Sequence, residues 1–537
     1  MKKKENESPS GGVNAANVNN AEELRDAARK YGMTFVAEIS ADMLDASLVS
    51  DLPVEWARSH RLLPVRISGK KCVLTCNPEA VAEQQHLELL IGEQLEPVLA
   101  GTETVSRAID RCYYSKEDSP GEFLRGIDGG EPEDGGADRA GASDLFRVAE
   151  EAPVTQLVNL ILLEALKRRA SDIHFEPFEN RLRVRYRIDG VLYEQSPAPK
   201  HLEDALISRL KVMGRMDIAE KRLPQDGMAR VRVGNREIDV RVSTVPVTEG
   251  ERVVLRLLDV ERALLPLGEL GLGSETLAGL EGMLGTDNGI VVVCGPTGSG
   301  KTTTLYALLG QLDAGRKNIM TVEDPVEYQL PDIGQMQVRP KIGLTFSGGL
   351  RHILRQDPDV ILVGETRDVE TAEIAIRASL TGHLVFTTLH TNDAPRSVVR
   401  LVDMGVKPYL LASSLKAVLA QRLVRRLCPD CKREKVFSEE EAQGLGEFAP
   451  LLSGKRGWTA GSGCPECLEG YCGRTGLFEF MVPDQAVYEG IRKGDVDSVK
   501  IRQAARARGM KTLGEDGVEK VLAGITSLPE IQRAALA

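Results

Sequence analysis

The chain lacks a long apolar run. No segment approaches the roughly 18 uninterrupted apolar residues of a membrane-spanning helix. The start, Met-Lys-Lys-Lys-Glu-Asn-Glu-Ser, leads into Gly, Asn and Ser rather than an apolar core. We therefore expect neither a membrane span nor a signal peptide, so that any membrane contact is indirect and runs through partner proteins.

The chain also lacks an excess of positive charge. Its 68 basic and 79 acidic residues give a formal net charge of −11. A nucleic-acid-binding protein normally carries a basic footprint that neutralises phosphates, and no such footprint is present overall. We expect no nucleic acid partner.

A disulfide framework is missing as well. Of the nine cysteines, four form two Cys-x-x-Cys pairs and five are scattered. Paired spacing of this kind favours metal binding in a reducing compartment over disulfide bonding. The pattern predicts a cytoplasmic protein.

Changes in composition divide the 537 residues into several domains. We expect a disordered lead-in at 1–20, a small α+β domain at 21–115, an acidic Gly-rich linker at 116–150, a hairpin-rich α+β domain at 151–262, an α/β core at 263–426, a cysteine-bearing insert at 427–475 and a helical subdomain at 476–537.

Apolar periodicity places strands and helices in these domains. Alternation predicts strands at 61–67 and 71–76, a helix from about residue 154, and a hairpin of strands 229–233 and 237–242. In the third unit, apolar strands alternate with helices, which predicts a mostly parallel, doubly wound sheet. Its strands are expected at 290–294, 318–322, 360–363 and 384–389.

A phosphate-binding pattern follows the first of these core strands. Residues 295–304 read Gly-Pro-Thr-Gly-Ser-Gly-Lys-Thr-Thr-Thr, a complete G-x-x-x-x-G-K-T at a strand-to-helix junction. The glycines let backbone N–H groups approach phosphates, Lys301 supplies a positive charge, and the Thr302 hydroxyl suits Mg²⁺. A chance Gly-rich turn is the alternative. The pattern predicts ATP and Mg²⁺ as cofactors, with nucleotide contacts from Gly295, Pro296, Thr297, Gly298, Ser299, Gly300, Lys301, Thr302 and Thr303.

Acidic residues follow two later core strands. Glu323 and Asp324 end one strand, with Glu327 just beyond, and Glu365 ends another. Because the carboxyl ends of parallel strands meet in one crevice, we expect these carboxylates beside the phosphate loop, where acids surround Mg²⁺ and orient water. Taken singly, each has a simpler explanation: a solvated strand end for Glu323 and Asp324, and a surface ion pair with Arg367 for Glu365.

Together these motifs resemble those of the type II secretion and type IV pilus assembly ATPases, which are hexameric motors of the cytoplasmic membrane face. The resemblance covers about residues 150–537 and implies a RecA-like P-loop core in a homo-hexamer. The matching stretches stand in the order of Walker A, Asp box, Walker B and His box: residues 295–304, 323–328, 357–368 and 381–394.

The resemblance implies roles for individual residues. Lys301 would bind the β- and γ-phosphates, and Glu365 would orient or deprotonate the attacking water. Gly364 occupies the position before that glutamate where an aspartate could bind Mg²⁺ directly. Glu323, Glu327 and water would therefore share the coordination of Mg²⁺.

Two histidines, His383 and His390, bracket the strand at 384–389. The resemblance implies that both lie near the nucleotide and report its state rather than abstract protons. A single histidine such as His390 is more often structural than catalytic.

The preceding domain shares the resemblance, which implies a PAS-like domain at 151–262. Arg241 and Arg256 would reach the γ-phosphate as arginine fingers, a role that suits guanidinium donors. The alternative is that they are sheet-surface arginines near Glu237 and Asp239. The matching stretches are 170–174, 187–190, 223–227 and 241–258.

The two Cys-x-x-Cys pairs predict a metal centre. Cys428 and Cys431 are separated from Cys464 and Cys467 by 32 residues, and four thiolates suit a closed, structural Zn²⁺ site. Unpaired thiols are the alternative, and Cys472 is a nearby spare. Secretion and pilus-extension members of the family carry a similar tetracysteine subdomain, whereas retraction motors generally do not.

The leading hypothesis is a motor that hydrolyses ATP at subunit boundaries and moves the second domain against the core. The N-terminal domain at 21–115 resembles, through residues 62–65 and 74–78, the part of secretion ATPases that docks on the cytoplasmic domain of the system's L protein. This favours the secretion branch over pilus extension, with an inner-membrane platform protein as a further partner. A nucleotide-binding scaffold without hydrolysis and a DNA-translocating ATPase are the rival classes.

Overall fold

The computed structural model describes three parts of the chain. They are residues 21–113 (apart from 38, 41–42, 46–47, 50–51, 53, 68, 79, 81–83, 86, 89–90 and 92–93), residues 143–144, and residues 153–535 (apart from 196, 234–235, 259–264 and 495). The predicted lead-in at 1–20 and most of the predicted linker at 116–150 lie outside the described residues. Two compact units result: Met1–Arg169 with Ile173–Tyr186 and Tyr193–Leu255, and Arg256–Ala537 with Ala170–Asp172 and Arg187–Leu192.

The N-terminal domain has the predicted α+β character. Its four-stranded sheet has the order β1-β4-β3-β2, and the hairpin of β2 and β3 is antiparallel. Apolar side chains from these strands, such as Leu63, Val65 and Val73, are fully buried in the domain's own core. The elements are α1 (Ala21–Tyr31), β1 (Thr34–Phe35), α2 (Val54–His60), β2 (Leu62–Ile67), β3 (Lys70–Thr75), β4 (Glu96–Leu99) and α3 (Thr102–Tyr113).

The second domain is built on one large sheet of order β5-β10-β11-β12-β6-β7-β8, with β9 paired to β7. The predicted hairpin is confirmed, since β10 pairs antiparallel with β11 from Gln225 opposite Thr244 to Val233 opposite Arg236. β5 falls inside the predicted linker and pairs parallel with β10. The elements are β5 (Ser143–Asp144), α4 (Pro153–Lys167), β6 (Ala170–Pro177), β7 (Arg181–Ile188), β8 (Val191–Glu194), β9 (Ala198–Pro199), α5 (Glu203–Met213), β10 (Gln225–Val233), β11 (Arg236–Val247) and β12 (Gly250–Leu258).

The core domain contains the predicted parallel sheet, of order β15-β14-β16-β17-β13-β18-β21. Only the edge pair of β18 and β21 is antiparallel. Alternate residues of β13 enter two separate apolar clusters, so both faces of the sheet are covered. The elements are α6 (Ser274–Leu284), β13 (Gly289–Cys294), α7 (Lys301–Leu309), β14 (Ile319–Glu323), β15 (Gly334–Gln337), α8 (Phe346–Ile353), β16 (Val360–Val363), α9 (Val369–Leu380), β17 (Leu384–Leu389), α10 (Ala394–Asp403), α11 (Pro408–Ser414) and β18 (Leu415–Leu427).

The cysteine-bearing insert and the tail complete the chain. β19 and β20 form a separate two-stranded antiparallel sheet. β21 crosses the predicted boundary between residues 475 and 476 because it extends the core sheet. Within the described residues, no helix is both long and apolar enough to cross a membrane. The elements are β19 (Arg433–Val436), α12 (Glu439–Gln443), α13 (Ala449–Leu452), β20 (Arg456–Thr459), β21 (Tyr471–Met481), α14 (Gln485–Arg492), α15 (Ser498–Ala507), α16 (Leu513–Leu522) and α17 (Leu528–Ala535).

Candidate active site and metal centre

The carboxyl ends of four core strands meet at one edge of the sheet. β13 is in register with β17 from Gly289 opposite Leu384 to Cys294 opposite Leu389, and β16 pairs parallel with both β14 and β17. The loop after β13, the acids after β14 and β16, and the residues after β17 therefore share this edge, as the sequence predicted.

The phosphate-binding loop lies between β13 and α7. Gly295 and Gly300 have φ values of 151° and 88°, and a Cβ at Gly295 would come within 2.5 Å of both the Gln421 carbonyl oxygen and the Ser299 hydroxyl. Only glycine fits there. α7 begins at Lys301, so the amino end of a helix faces the loop, as an anion site requires. Thr302 and Thr303 are half-buried in its first turn.

Lys301 is held over this loop. Its Nζ donates to the carbonyl oxygens of Gly295 at 2.8 Å and Pro296 at 3.0 Å. Burial lowers the pKa of Lys301, and the negative charge of Glu365 opposes that shift. The ammonium and the Glu365 carboxylate therefore lie within electrostatic reach of each other.

Glu365 is bonded through both carboxylate oxygens. Oε1 lies 2.8 Å from His390 Nε2, and Oε2 accepts from Arg367 Nε at 2.7 Å. Burial by itself would raise the pKa of Glu365, but the Arg367 hydrogen bond and the charges of Arg367, His390 and Lys301 outweigh it, so the pKa is lowered. The carboxylate is charged at neutral pH. The ion pair with Arg367, which the sequence offered as the simpler explanation of Glu365, is present. The carboxylate also contacts His390 and interacts electrostatically with Lys301.

Glu323 occupies a buried network behind the loop. Its Oε2 accepts from the Tyr306 hydroxyl at 2.5 Å and its Oε1 from the Thr321 hydroxyl at 2.5 Å. Gln335 Nε2 lies 3.3 Å from the same Oε1. Glu323 is only 4% exposed, so it is not a solvated strand end, and its hydrogen bonds join α7, β14 and β15. Glu327 is half-buried further along the same segment.

The glycine before Glu365 has a packing reason. A Cβ at Gly364 would stand 3.2 Å from both the Cα of Glu323 and the carbonyl oxygen of Val322. Side-chain carbons rarely approach backbone atoms this closely, so an aspartate would force the ends of β14 and β16 apart. Close strand packing accounts for the absence of a carboxylate at this position.

The two histidines lie at opposite ends of β17. His390 follows β17 and reaches Glu365. His383 precedes β17; its carbonyl oxygen accepts from Gly289 N at 3.2 Å at the start of β13, and its Nδ1 donates to the Ala378 carbonyl oxygen at 2.8 Å. A strand of this length spans about 20 Å. Within one chain, His383 therefore does not join the phosphate loop, contrary to the expectation.

The two candidate arginine fingers lie on adjacent strands of the second domain. Arg241 is half-buried on β11, opposite Met228 of β10. Arg256 donates from Nε to Asp172 Oδ1 at 3.0 Å and is 55% exposed. The acids that the alternative assigned to them, Glu237 and Asp239, pair instead with Arg230.

The four cysteines of the two pairs converge. All four sulfur atoms lie within 4.8 Å of one another, and three of the Sγ–Sγ distances are 3.5, 3.6 and 3.7 Å. Tetrahedral zinc with Zn–S bonds of about 2.3 Å requires sulfur atoms about 3.8 Å apart. The cluster fits structural Zn²⁺, and its members are Cys428, Cys431, Cys464 and Cys467, without Cys472.

A buried acid beneath the site carried no sequence motif. Glu479 of β21 is 3% exposed and its Oε1 accepts from Ala394 N at the start of α10. Asp393, the capping residue of that helix, accepts from Arg502 Nη2 at 2.7 Å. The pKa of Glu479 is raised to about 7, mainly by burial and also by the charge of Asp393, although the Ala394 amide and the charge of Arg502 oppose the shift. The only sequence signal was its alternation with Phe478 and Phe480 along β21.

Glu479 should make stability depend on pH. Its pKa is raised above the ordinary value near 4.5, so the folded chain keeps a proton that the unfolded chain has released, and stability falls as pH rises from about 4.5 to about 7. We expect Glu479→Gln to match the wild type near pH 5 and to be more stable by up to about 3 kcal/mol near pH 8. Melting temperatures measured across this range test this, and parallel curves for the two proteins would contradict it.

A lysine-bearing loop after one strand, together with a charged carboxylate at the same end of another parallel strand of the sheet, defines the class of P-loop nucleotide-binding proteins. Within that class, the chain belongs to the type II/IV secretion system protein family, whose model matches residues 147–533. An MshEN domain model matches residues 31–119.

Individual relatives cover almost the whole chain. The type II secretion system protein E of Klebsiella pneumoniae is 45% identical over 507 residues, which are 90% of this chain and 96% of that protein. The type IV pilus assembly ATPase PilB of Myxococcus xanthus is 41% identical over 506 residues, 94% of this chain and 89% of that protein. The crystal structure of the Legionella pneumophila ATPase DotB has 21% identity, a TM-score of 0.52 and coverage of 70% of this chain and 95% of its own, and it supports the fold.

Proposed function

We propose that the chain is the ATPase of a type II secretion system, a homo-hexamer that hydrolyses Mg-ATP at the cytoplasmic face of the inner membrane and drives pseudopilus assembly. The observation that carries this is the charged Glu365, which is bonded to His390 and Arg367 and interacts electrostatically with Lys301 of the phosphate loop. Similarity to a type II secretion system protein E over 90% of the chain supports the choice of system.

Each residue at the loop has a part in this proposal. Lys301 leaves its two carbonyl partners to bind the β- and γ-phosphates, and Glu365 orients the attacking water and accepts its proton. His390, bonded to Glu365, fixes the orientation of that carboxylate. Thr302 and Glu327, with water, would hold Mg²⁺, which would neutralise charge on the phosphates when bound.

Two groups support the site from further away. Glu323, which the resemblance made a partner of Glu327 in holding Mg²⁺, has a different role in this proposal, because its buried carboxylate accepts from Tyr306 of α7 and from Thr321. Arg241 and Arg256 serve as arginine fingers for charge that develops on the transferred phosphoryl group. Release of Arg256 from Asp172 is part of that step.

The zinc centre has a structural role in the proposal. Four cysteine ligands leave no open coordination position, so the ion cross-links the two ends of the insert and does not react. The sulfur–sulfur distances of 3.5 to 3.7 Å support this assignment.

Phosphate release from Mg-ATP by the purified chain tests the proposal. Steady release that depends on Mg²⁺ supports a motor, while nucleotide binding without release supports the rival reading of a regulatory scaffold. Stimulation by DNA would instead favour a DNA-translocating ATPase. The same sample in a sizing experiment should elute as a hexamer when nucleotide is present.

The choice between secretion and pilus extension rests on the N-terminal domain, because the PilB relative is nearly as similar as the secretion relative. We expect the full chain to capture the cytoplasmic domain of a secretion L protein, and a version lacking residues 1–115 to lose that capture while keeping nucleotide binding. Co-purification with L and with pilus platform proteins measures this. Selective capture of the pilus component would reverse the choice.

A further inference from the structure

Gln421 of β18 lies directly beneath the phosphate loop. Its side chain is 2% exposed, and its Nε2 donates to the carbonyl oxygen of Ser299 at 2.7 Å. The two residues are 122 positions apart in the chain. They meet because β18 pairs with β13 in a register that sets Ala420 opposite Cys294. Gln421 follows Ala420, and the phosphate loop follows Cys294.

The Ser299 carbonyl has a defined relation to the phosphate side of the loop. In a planar trans peptide the C=O of one residue and the N–H of the next point in opposite directions. A donor that fixes the Ser299 carbonyl beneath the loop therefore fixes the Gly300 N–H toward the other side, where an anion binds. Ser299 is 3% exposed, so the carbonyl depends on a protein partner for its hydrogen bond.

Gln421 also limits the position of the two flanking glycines. Its backbone oxygen would lie 2.5 Å from a Cβ at Gly295, and its Nε2 would lie 3.2 Å from a Cβ at Gly300. β18 is itself held between β13 and β21, where Gln421 stands opposite Phe478. The loop thus rests on a strand that is paired on both sides, which makes a rigid support.

Packing alone does not explain a glutamine at this position. Among the described residues, neither Gln421 Oε1 nor the Ser299 hydroxyl has a hydrogen-bond partner, although both are buried. A buried amide oxygen without a partner is unfavourable, and an apolar side chain would pack in a strand with neighbours such as Leu419 at lower cost. The residue is explained by its one donated hydrogen bond.

We propose that Gln421 is a positioning residue for nucleotide binding, acting through the Ser299 carbonyl to aim the Gly300 N–H at phosphate. The inference rests on the proposed function, since it concerns the same site. It adds a residue from outside the four sequence motifs, on the strand that leads directly to Cys428 of the metal centre.

Three variants of the full chain test the proposal. Gln421→Leu keeps the volume but removes the donor, and we expect the dissociation constants of Mg-ATP and ADP to rise about tenfold. Gln421→Glu replaces the donor with a carboxylate that faces the Ser299 carbonyl, and we expect a larger loss at neutral pH. Affinity of the Glu variant should recover as pH falls, because a protonated carboxyl can donate to Ser299, whereas affinity of the Leu variant should not.

The control is Val418→Ala on the same strand, which removes buried volume without touching the loop. It should lower the melting temperature and leave nucleotide affinity unchanged. Equal affinity of Gln421→Leu and wild type, or a weakening in Val418→Ala of the same size, would overturn the proposal. Binding is the readout, so a wild type that binds nucleotide without hydrolysing it would fail the proposed function and still test Gln421.

Discussion

Glu365→Gln is expected to lower phosphate release from Mg-ATP by a factor of about 10² to 10⁴ while nucleotide binding persists. The glutamate carboxylate is charged and interacts electrostatically with Lys301, and its two oxygens are bonded to His390 and Arg367. A glutamine keeps the shape and cannot accept a proton from water. Single-turnover phosphate release, measured with a fluorescent nucleotide to follow binding, separates the two effects.

A matched control is Glu373→Gln on α9. Glu373 pairs with Arg377 at 3.5 Å on the helix that follows Glu365, and it lies outside the proposed machinery, so its turnover should equal that of the wild type. Equal phosphate release from Glu365→Gln and wild type counts against the catalytic assignment. Loss of nucleotide binding in that variant would instead give Glu365 a structural part in the loop.

Loss of zinc is expected to unfold the insert. Cys431→Ser removes one of four ligands whose sulfur atoms lie within 4.8 Å of one another. Structural zinc contributes on the order of 10 kcal/mol to the folding of small metal-bound units. We expect the variant to purify without stoichiometric zinc and its amides in residues 428–471 to exchange rapidly, as metal analysis and hydrogen exchange will measure.

Cys472→Ser is the matched control for the metal centre. Cys472 lies five residues beyond Cys467 and is outside the cluster, so this variant should retain zinc and wild-type exchange rates. Full zinc content in Cys431→Ser would contradict the four-ligand site. Loss of zinc in Cys472→Ser would mean that the ligand set is wrong.

The phosphate loop and the metal centre were the parts that the sequence predicted best. The order of glycines, lysine and threonine in residues 295–304 determines the conformation of the loop. The Cys-x-x-Cys spacing places the two cysteines of each pair on one short turn. The four predicted core strands were found to within a residue or two, since β16 is a continuous apolar run, β13 is one after Gly289, and β17 begins with Leu-Val-Phe. These features depend on near neighbours in the chain.

Three strands of the core sheet, β15, β18 and β21, were not predicted. β18 interrupts its apolar run with Gln421 and several basic residues, and β21 includes Glu479 between two phenylalanines. Their polar side chains are accommodated by partners elsewhere, the loop for Gln421 and the start of α10 for Glu479. The boundary predicted at the end of the cysteine-bearing insert, between residues 475 and 476, therefore falls inside β21.

The acids and histidines show the limit of motif reading. The motifs located Glu323 and His383 in the chain but did not show their surroundings. The direction of β17 puts His383 at the amino end of that strand, away from the phosphate loop. Glu323 is buried, and its carboxylate accepts hydrogen bonds from Tyr306 and Thr321. By itself, the sequence determined the chemistry of the loop and of the cysteine pairs, because contiguous residues constrain each other's backbone. Only the tertiary structure decided which side chains from distant parts of the sequence contact the loop and the cysteine pairs. Such contacts depend on how the strands pair and on which polar groups are buried and therefore need a hydrogen-bond partner.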